Sequence, residues 1–434
     1  MKIIINLYHI FRLKYAFKNW STEKIIKHQN SRIRKLLKII EKKSSFYNDI
    51  YKSRNIQSIH DLPLMTKEIM MENFNKINTV GLDRNSLIEF KIDQERKNLF
   101  GLYKKFSIGL SSGTSGNKCL TVLSPKERNL YSCLLWARKG HLSQIRHHKI
   151  LFAIRTNNPA YTSVSKYGVY FHYIDYTRSI ESIINIINTE KLNIIAGPVS
   201  MLKLIAENKS LIDSKIEAVV SYAEVLSKYD EELLESVFGV PISQIYQGAE
   251  GFIASTCRHG KLHLNEDAIF FEFEEIQDGL KNIIITDLYR TSQPFIRYKL
   301  NDVLELSDEP CSCGSNFKVI KAIHGRVDDL FLLKTSAGKI RYLFSDYVRR
   351  SINQASDQIL EYQAIQNNYN HIEIRLKLKS DSNTELIKKT ILSNLNFYME
   401  KIGVIPVSIN FSDIEPEKNT RSNKLIRVIR NFKK

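Results

Sequence analysis

Between residues 149 and 222 short apolar, β-branched runs alternate with segments of helical spacing, and this alternation restricts the fold more than any other feature. "KILFAIR", "VYFHYID", "NIIAGPV" and "IEAVVSY" suit strands, while "SIESIINIIN" and "SMLKLIAEN" between them suit helices. Strand–helix repetition predicts βαβ units, hence a parallel sheet covered on both faces. Further on, "AIFFEFEE" and "NIIITDLYR" read as a hairpin pair. From about residue 330, "HIEIRLKLK", a helix near 383–401 and "VIPVSINFS" predict a small α+β domain of about 100 residues. Residues 1–56 read as helices, and Thr66 after "DLPLM" as a helix N-cap. The expected class is α/β: a large N-terminal domain with mixed and parallel sheets covered by helices, then a small C-terminal α+β domain.

Charge narrows the partners. The net charge of +18 is uneven: residues 1–54 hold fourteen Lys/Arg against three Asp/Glu, and residues 415–434 hold seven against two. A nucleic-acid binder would spread basic charge over a folded face, so no nucleic acid is expected. In "SRIRKLLKIIEKK", Ile33, Leu36, Leu37 and Ile40 at helical spacing predict a core-packing helix with a solvated basic face. Weak contact of this basic N-terminus with a membrane surface is the alternative. No apolar run reaches the length of a membrane span, and "MKIIINLYHIFRLK" is broken by His9, Arg12 and Lys14 without a small-residue cleavage site. A cytoplasmic protein is expected. Five cysteines are too few for a disulfide framework.

"SSGTSGNK", residues Ser111, Ser112, Gly113, Thr114, Ser115, Gly116, Asn117 and Lys118, suits a polyphosphate. The glycines allow close backbone approach, the hydroxyls and N–H groups can ring an anion, and the lysine adds a charge. The spacing is not that of a P-loop. Four further motifs follow in order: "IYQGAEG" with Tyr246 and Glu250, "FIRYKLND" with Tyr298 and Asp302, "HGRVDD" with Arg326 and Asp328, and "RSNKLIRV" with Lys424.

Together these motifs resemble the adenylate-forming superfamily of acyl-CoA synthetases. The wording is most similar to its phenylacetate–CoA ligase-like branch, which includes proteins of capsular polysaccharide biosynthesis clusters. The resemblance covers roughly residues 45–430. It implies ATP-dependent activation of a small-molecule carboxylate to an acyl-adenylate, then transfer to coenzyme A. Transfer to an amine, a hydroxyl or the thiol of a separate carrier is the alternative, and a homodimer is left open. It implies that Ser111–Lys118 holds the β- and γ-phosphates, that Tyr246 lies near the adenine, and that Glu250 binds magnesium. Asp302 would hold the ribose, Arg326 would lie near the ribose or phosphate, and "SYAEVLS" (Ser221–Glu224) near the adenine. Asp328 would be the hinge between a nucleotide- and acyl-binding domain, 1–326, and a mobile domain, 327–434, carrying the catalytic Lys424; Lys418 is the rival lysine. The chain departs from the usual pattern at Gln247 and Ala249, at Asn117, which lacks a flanking proline, and at Asn423 before the lysine. The acyl pocket is expected within 133–250, where Trp136, Tyr170, Phe171, Tyr173 and Tyr222 lie.

"CRHGKLH" offers Cys257, His259 and His263, and "PCSCGSN" offers Cys311 and Cys313. Two such clusters can supply four tetrahedral zinc ligands. Residue type alone leaves His259 and His263 both open. The resemblance implies Cys257, His263, Cys311 and Cys313 around a structural zinc. A non-catalytic, zinc-containing basic binding module is the reading from another class; it predicts no ATP binding.

Overall fold

The computed structural model describes residues 2–97, 99, 101–110, 119–140, 142, 145, 147–153, 169–175, 178–326, 330–418 and 425–432. The chain begins with helices α1 (Lys2–Asn19) and α2 (Thr22–Lys43), which bury one stripe each. On α2 that stripe includes Ile33, Leu36 and Ile40, while Arg34, Lys35 and Lys38 are exposed. Thr66 caps a following short helix, its Oγ1 accepting from Ile69 N at 3.3 Å.

Strands β1 (Ser107–Leu110) and β2 (Leu120–Leu123) then pair antiparallel, with Leu110 opposite Leu120. Ser111–Lys118 lies outside the described residues, but both its flanks are fixed side by side. The helix Pro125–Ala137 follows, closed by a capping box of Ser124 and Glu127.

The predicted βαβ region forms β3 (His148–Ala153), β4 (Val169–Ile174), β5 (Ile194–Gly197), β6 (Ala218–Tyr222) and β7 (Ile242–Gly248), all parallel in the order β4-β3-β5-β6-β7. Side chains alternate between the faces. Leu151, Ile195 and Val219 pack under the helices Ile180–Thr189, Val199–Glu207 and Lys228–Phe238. Ile150, Ala196, Val220 and Tyr222 form a second cluster on the other face.

The sheet continues antiparallel through β8 (Gly251–Thr256), β9 (Leu262–Leu264), β10 (Ile269–Gln277), β11 (Leu280–Asp287), β12 (Tyr298–Ser307) and β13 (Val319–Arg326). Among the described residues it has eleven strands, ordered β10-β11-β12-β13-β9-β8-β7-β6-β5-β3-β4. The expected hairpin is β10–β11.

Beyond residues 327–329, which are outside the described residues, β14 (Phe331–Lys334) pairs with β15 (Ile340–Leu343). β16 (Ile359–Asn368), β17 (His371–Leu378), β18 (Ser408–Ser412) and β19 (Val428–Arg430) make a mixed sheet, β18-β17-β16-β19. Helices Ser345–Asn353 and Thr384–Lys401 complete a separate core with it, through Val348, Ile352, Ile391 and Leu395. The observed class is therefore α/β, a large mixed sheet plus a small C-terminal mixed sheet.

Candidate active site

The functional candidates converge where β7 turns into β8. Gly248 pairs with Gly251, so Ala249 and Glu250 form a two-residue turn. Gly251 has φ +155°, a conformation open to glycine, although a Cβ there would meet Ile269 and Asp287 only at ordinary contact distance. Gly248 is needed for a different reason: a Cβ there would collide with the Glu250 carboxylate. Gly248→Ala is expected to preserve the fold but displace Glu250. Its melting temperature should match the wild type, while magnesium-ATP affinity falls by roughly tenfold or more in calorimetric titration, the equivalent of one lost charge-assisted contact. Unchanged affinity would show that the position of Glu250 is irrelevant to nucleotide.

Four predicted residues come together here. Tyr246 donates its hydroxyl hydrogen to Asp302 Oδ2 at 2.5 Å. Asp302 is also the register partner of Arg326 across β12 and β13, with Arg326 Nε 3.9 Å from its Oδ1. The Tyr298 hydroxyl belongs to the same cluster: burial first, then the charge of Glu250, raises its pKa above the usual range. Burial raises the Glu250 carboxyl above its usual range and Asp302 adds to this, against its own backbone, Arg290 and Arg326. Burial likewise raises Asp302, opposed by Tyr246 and Arg326. Two acidic groups whose ionised forms are penalised in one cleft favour the arrival of a cation.

Sequence reading missed the frame beneath them. Arg290 is buried, with Nη1 donating to the carbonyls of Ala249 at 2.8 Å and Glu250 at 3.4 Å, and its guanidinium 4.2 Å from the Phe295 ring centroid. Its Nη2 donates to Gln293 Oε1 at 3.3 Å. That oxygen also accepts from Val122 N at 2.8 Å, and Gln293 Nε2 donates to Leu120 O at 2.9 Å. Gln293 thus joins β2, one flank of the Ser/Gly run, to the turn bearing Glu250. Glu127 holds the same segment from the other side, accepting from Ser124 N, Thr291 N and Ser292 N at 2.7, 2.7 and 2.8 Å. Burial raises its pKa, but these donors outweigh burial and leave it below the usual range. The only advance signal was that Arg290 and Gln293 stand in an irregular polar stretch, "YRTSQP", between two strands.

Cys119, directly after the Ser/Gly run, is buried in the same core as Tyr298; burial first and then Glu250 push its thiol up to about 12. The run's C-terminal flank therefore lies in the same cluster. Ser111–Lys118, Asp328 and Lys424 are outside the described residues. Lys418 and Leu425 form an isolated bridge, so the flanks of 419–424 adjoin.

Next to this cluster, between the helix Pro125–Ala137 and the uncovered face of β3–β7, lies a pocket of about 120 Å³. Of the expected aromatic residues it is lined by Trp136, Phe171 and Tyr222. Tyr170 is 45% exposed and is not a lining residue. Tyr222 stacks on Phe152 at 5.1 Å and donates to Ala153 O, so it is a wall of this pocket. Gln247, whose Oε1 accepts from Tyr131 Oη at 2.6 Å, lines the end adjoining Tyr246. Lys139, lowered to about 8 by burial and then by Lys14, lines it too, as does His148. The helix ends at Ala137 and β3 starts at His148, so these two mark the opposite end.

The Cys/His cluster is built from β9, the turn before it and the loop 308–318. Ligand atoms of Cys257, His263, Cys311 and Cys313 all lie within 4.8 Å of one another. Cys257 Sγ is 3.8 Å from Cys311 Sγ, and Cys313 Sγ is 3.5 Å from His263 Nε2. A tetrahedral zinc with bonds of about 2.3 Å to sulfur and 2.0–2.1 Å to nitrogen has edges of about 3.8 and 3.5 Å. Sulfurs in a disulfide would be about 2.05 Å apart. His263 Nδ1 faces Phe317 O at 2.9 Å, which leaves Nε2 free to ligate. His259 falls outside the cluster and its Nε2 accepts from Arg258 at 3.1 Å. The donor set fits zinc, with His263 rather than His259.

No known family's sequence model matches the chain. Protein CapK of Staphylococcus aureus is 24% identical over 420 residues, which are 87% of this chain and 86% of CapK. 2-Hydroxyisobutyryl-CoA ligase, solved in the postadenylation state with 2-HIB-AMP, superposes with a TM-score of 0.69 over 96% of this chain and 91% of that one, at 13% identity. The chain has the adenylate-forming acyl-CoA ligase fold. It is also a distant homologue of CapK. o-Succinylbenzoate CoA synthetase of Bacillus subtilis, solved with its acyl-adenylate OSB-AMP, superposes with a TM-score of 0.54 over 74% of this chain and 67% of that one, at 16% identity. Among the described residues no helix is long and apolar enough to cross a membrane.

Proposed function

We propose that this chain is an ATP-dependent carboxylic acid ligase. A carboxylate oxygen attacks the α-phosphorus of ATP and the bond to pyrophosphate breaks; the deprotonated thiol of coenzyme A then attacks the acyl carbon, the acyl–phosphate C–O bond breaks, and AMP leaves. One observation carries this reading: the Tyr246, Glu250, Asp302 and Arg326 cluster adjoins one end of an apolar pocket, which Gln247, next to Tyr246, lines. Polar nucleotide groups and an apolar acyl group would meet there.

In this reading Asp302 accepts from the ribose hydroxyls and Arg326 faces the ribose or phosphate. Glu250 would hold magnesium, which when bound supplies positive charge against the repulsion between two anions. Ser111–Lys118 would cradle the outer phosphates between the fixed ends of β1 and β2. Lys424 would reach the reacting carboxylate and α-phosphate, carried by a domain 327–434 that turns on Asp328 against 1–326. The missing hydroxyl at Ala249 leaves the phosphate contact to the loop. The lining of Phe152, Phe171 and Tyr222 favours an apolar acyl or aryl group. Cys257, His263, Cys311 and Cys313 would hold a structural zinc; with four protein ligands it has no open position for chemistry.

Calorimetric titration of magnesium-ATP into the wild type and Asp302→Ala tests the nucleotide site. The wild type is expected to bind, and the variant about a hundredfold more weakly, as befits two lost hydrogen bonds to a charged group. Folded, zinc-replete wild type that ignores ATP up to millimolar concentration would overturn the proposal. A screen of carboxylic acids for pyrophosphate release then tests chemistry, and thioester detection tests the acceptor.

A further inference from the structure

We propose that the outward face of α1 docks the protein on an anionic lipid bilayer. A helix on a globular surface normally turns apolar residues inward and charge outward. α1 does turn one stripe inward: Asn6, Leu13 and Ala16 are buried. That stripe is well anchored, because Asn129 Nδ2 donates to Asn6 Oδ1 at 2.6 Å and Arg138 Nη1 to Leu13 O at 2.9 Å. Yet the opposite face is also apolar. Leu7, Tyr8, Phe11 and Tyr15 are 54, 63, 71 and 55% exposed. Leu7, Phe11 and Tyr15 follow at i, i+4 and i+8, so they form one line along the helix.

Lys14 and Lys18 are exposed on this same side, each three residues after a member of that line. α1 contains no acidic residue. α2, which follows after two residues, exposes Lys24, Lys27, Arg34, Lys35, Lys38 and Lys42. Large apolar side chains interleaved with lysines, on a helix already fixed to the protein, match a helix lying in the headgroup plane. The apolar groups enter the acyl boundary while the lysines meet phosphate. A second copy of this chain fits the face less well, since a two-fold contact would set Lys14 and Lys18 against their own copies. A polyanion such as nucleic acid would match the lysines and leave the apolar line without a partner.

The test is co-sedimentation of the full chain with vesicles of phosphatidylcholine alone or with phosphatidylglycerol added. The wild type is expected to bind only the anionic vesicles, and less at high salt. Lys14→Glu with Lys18→Glu should reduce partitioning at least roughly tenfold, each lysine near an anionic surface being worth about fivefold. Leu7→Ser with Phe11→Ser should reduce it by roughly tenfold or more through lost apolar burial. All four positions are exposed, so circular dichroism should stay unchanged. The proposal is overturned if the wild type stays in the supernatant with anionic vesicles. It is equally overturned if the Leu7/Phe11 variant binds like the wild type, which would mean unspecific charge attraction. A dimer in light scattering that Phe11→Ser dissociates would give the face to a second copy instead.

Discussion

Glutamine in place of Glu250 is expected to lower acid-dependent pyrophosphate release by roughly 100- to 1000-fold, the usual loss when one preorganised charge is removed from a transition state. The fold should not suffer. Burial, with Asp302 adding to it, holds the Glu250 carboxyl above its usual range, so folding disfavours the ionised form. A raised carboxyl pKa means the wild type loses stability as pH climbs through the unfolded and then the folded pKa. Glutamine keeps the shape but cannot ionise. Near neutral pH the melting temperature of the variant should therefore equal or exceed that of the wild type, and the difference should shrink in acid. A function-specific loss of this kind marks a site held at the expense of stability. Release that survives the substitution at wild-type rate would remove Glu250 from the machinery.

The second large effect concerns the Cys/His cluster. Metal analysis of the purified protein should find about one zinc per chain, and Cys311→Ser should lose it. Zinc at a thousandfold excess over its dissociation constant stabilises the folded state by about 4 kcal/mol. At about 1–2 °C per kcal/mol for a chain longer than the usual calibration set, the variant should melt about 4–8 °C lower. Adding a strong chelator to the wild type should reproduce the shift. The loss should start locally, because the cluster ties the 308–318 loop to the β8–β9 hairpin and, through the Phe17 ring 5.1 Å from that of His263, to α1. Zinc-free protein with an unchanged melting point would leave four reduced thiol and imidazole groups merely packed together.

The parts legible in advance share a local origin. β3 to β6 could be read because largely buried parallel strands, and here even the edge strand β4, leave short apolar runs, while the helices between them carry their own period. That Tyr246, Glu250, Asp302 and Arg326 would come together could be expected because each sits in a short motif around a strand end that resembles one of the adenylate-forming superfamily. Arg290, Gln293 and Glu127 could not. Gln293 touches Val122 and Leu120 some 170 residues away, and Glu127 bonds Thr291 at a similar separation. No periodicity or spacing announces such contacts; only the folded sheet makes them neighbours. The choice between His259 and His263 was of the same kind: both lie within reach along the chain, and the direction of one turn decides which imidazole enters the cluster.

The pairing of Asp302 with Arg326 has a consequence for how the protein would respond to its ligand. They share one rung of the ladder between β12 and β13, and Arg326 is the last residue of its strand before segment 327–329. Gly325, at φ +98°, lies so close to Ser345 that a Cβ there would come within 2.5 Å of the serine hydroxyl, and Ser345 Oγ donates to His324 O. A turn of the C-terminal unit would therefore be felt at the carboxylate proposed to hold the ribose. Coupling of this kind works in both directions and by equal amounts of free energy. Nucleotide that strengthens the rung would bias the orientation of the C-terminal unit, and whatever grips that unit would tune nucleotide affinity to the same degree.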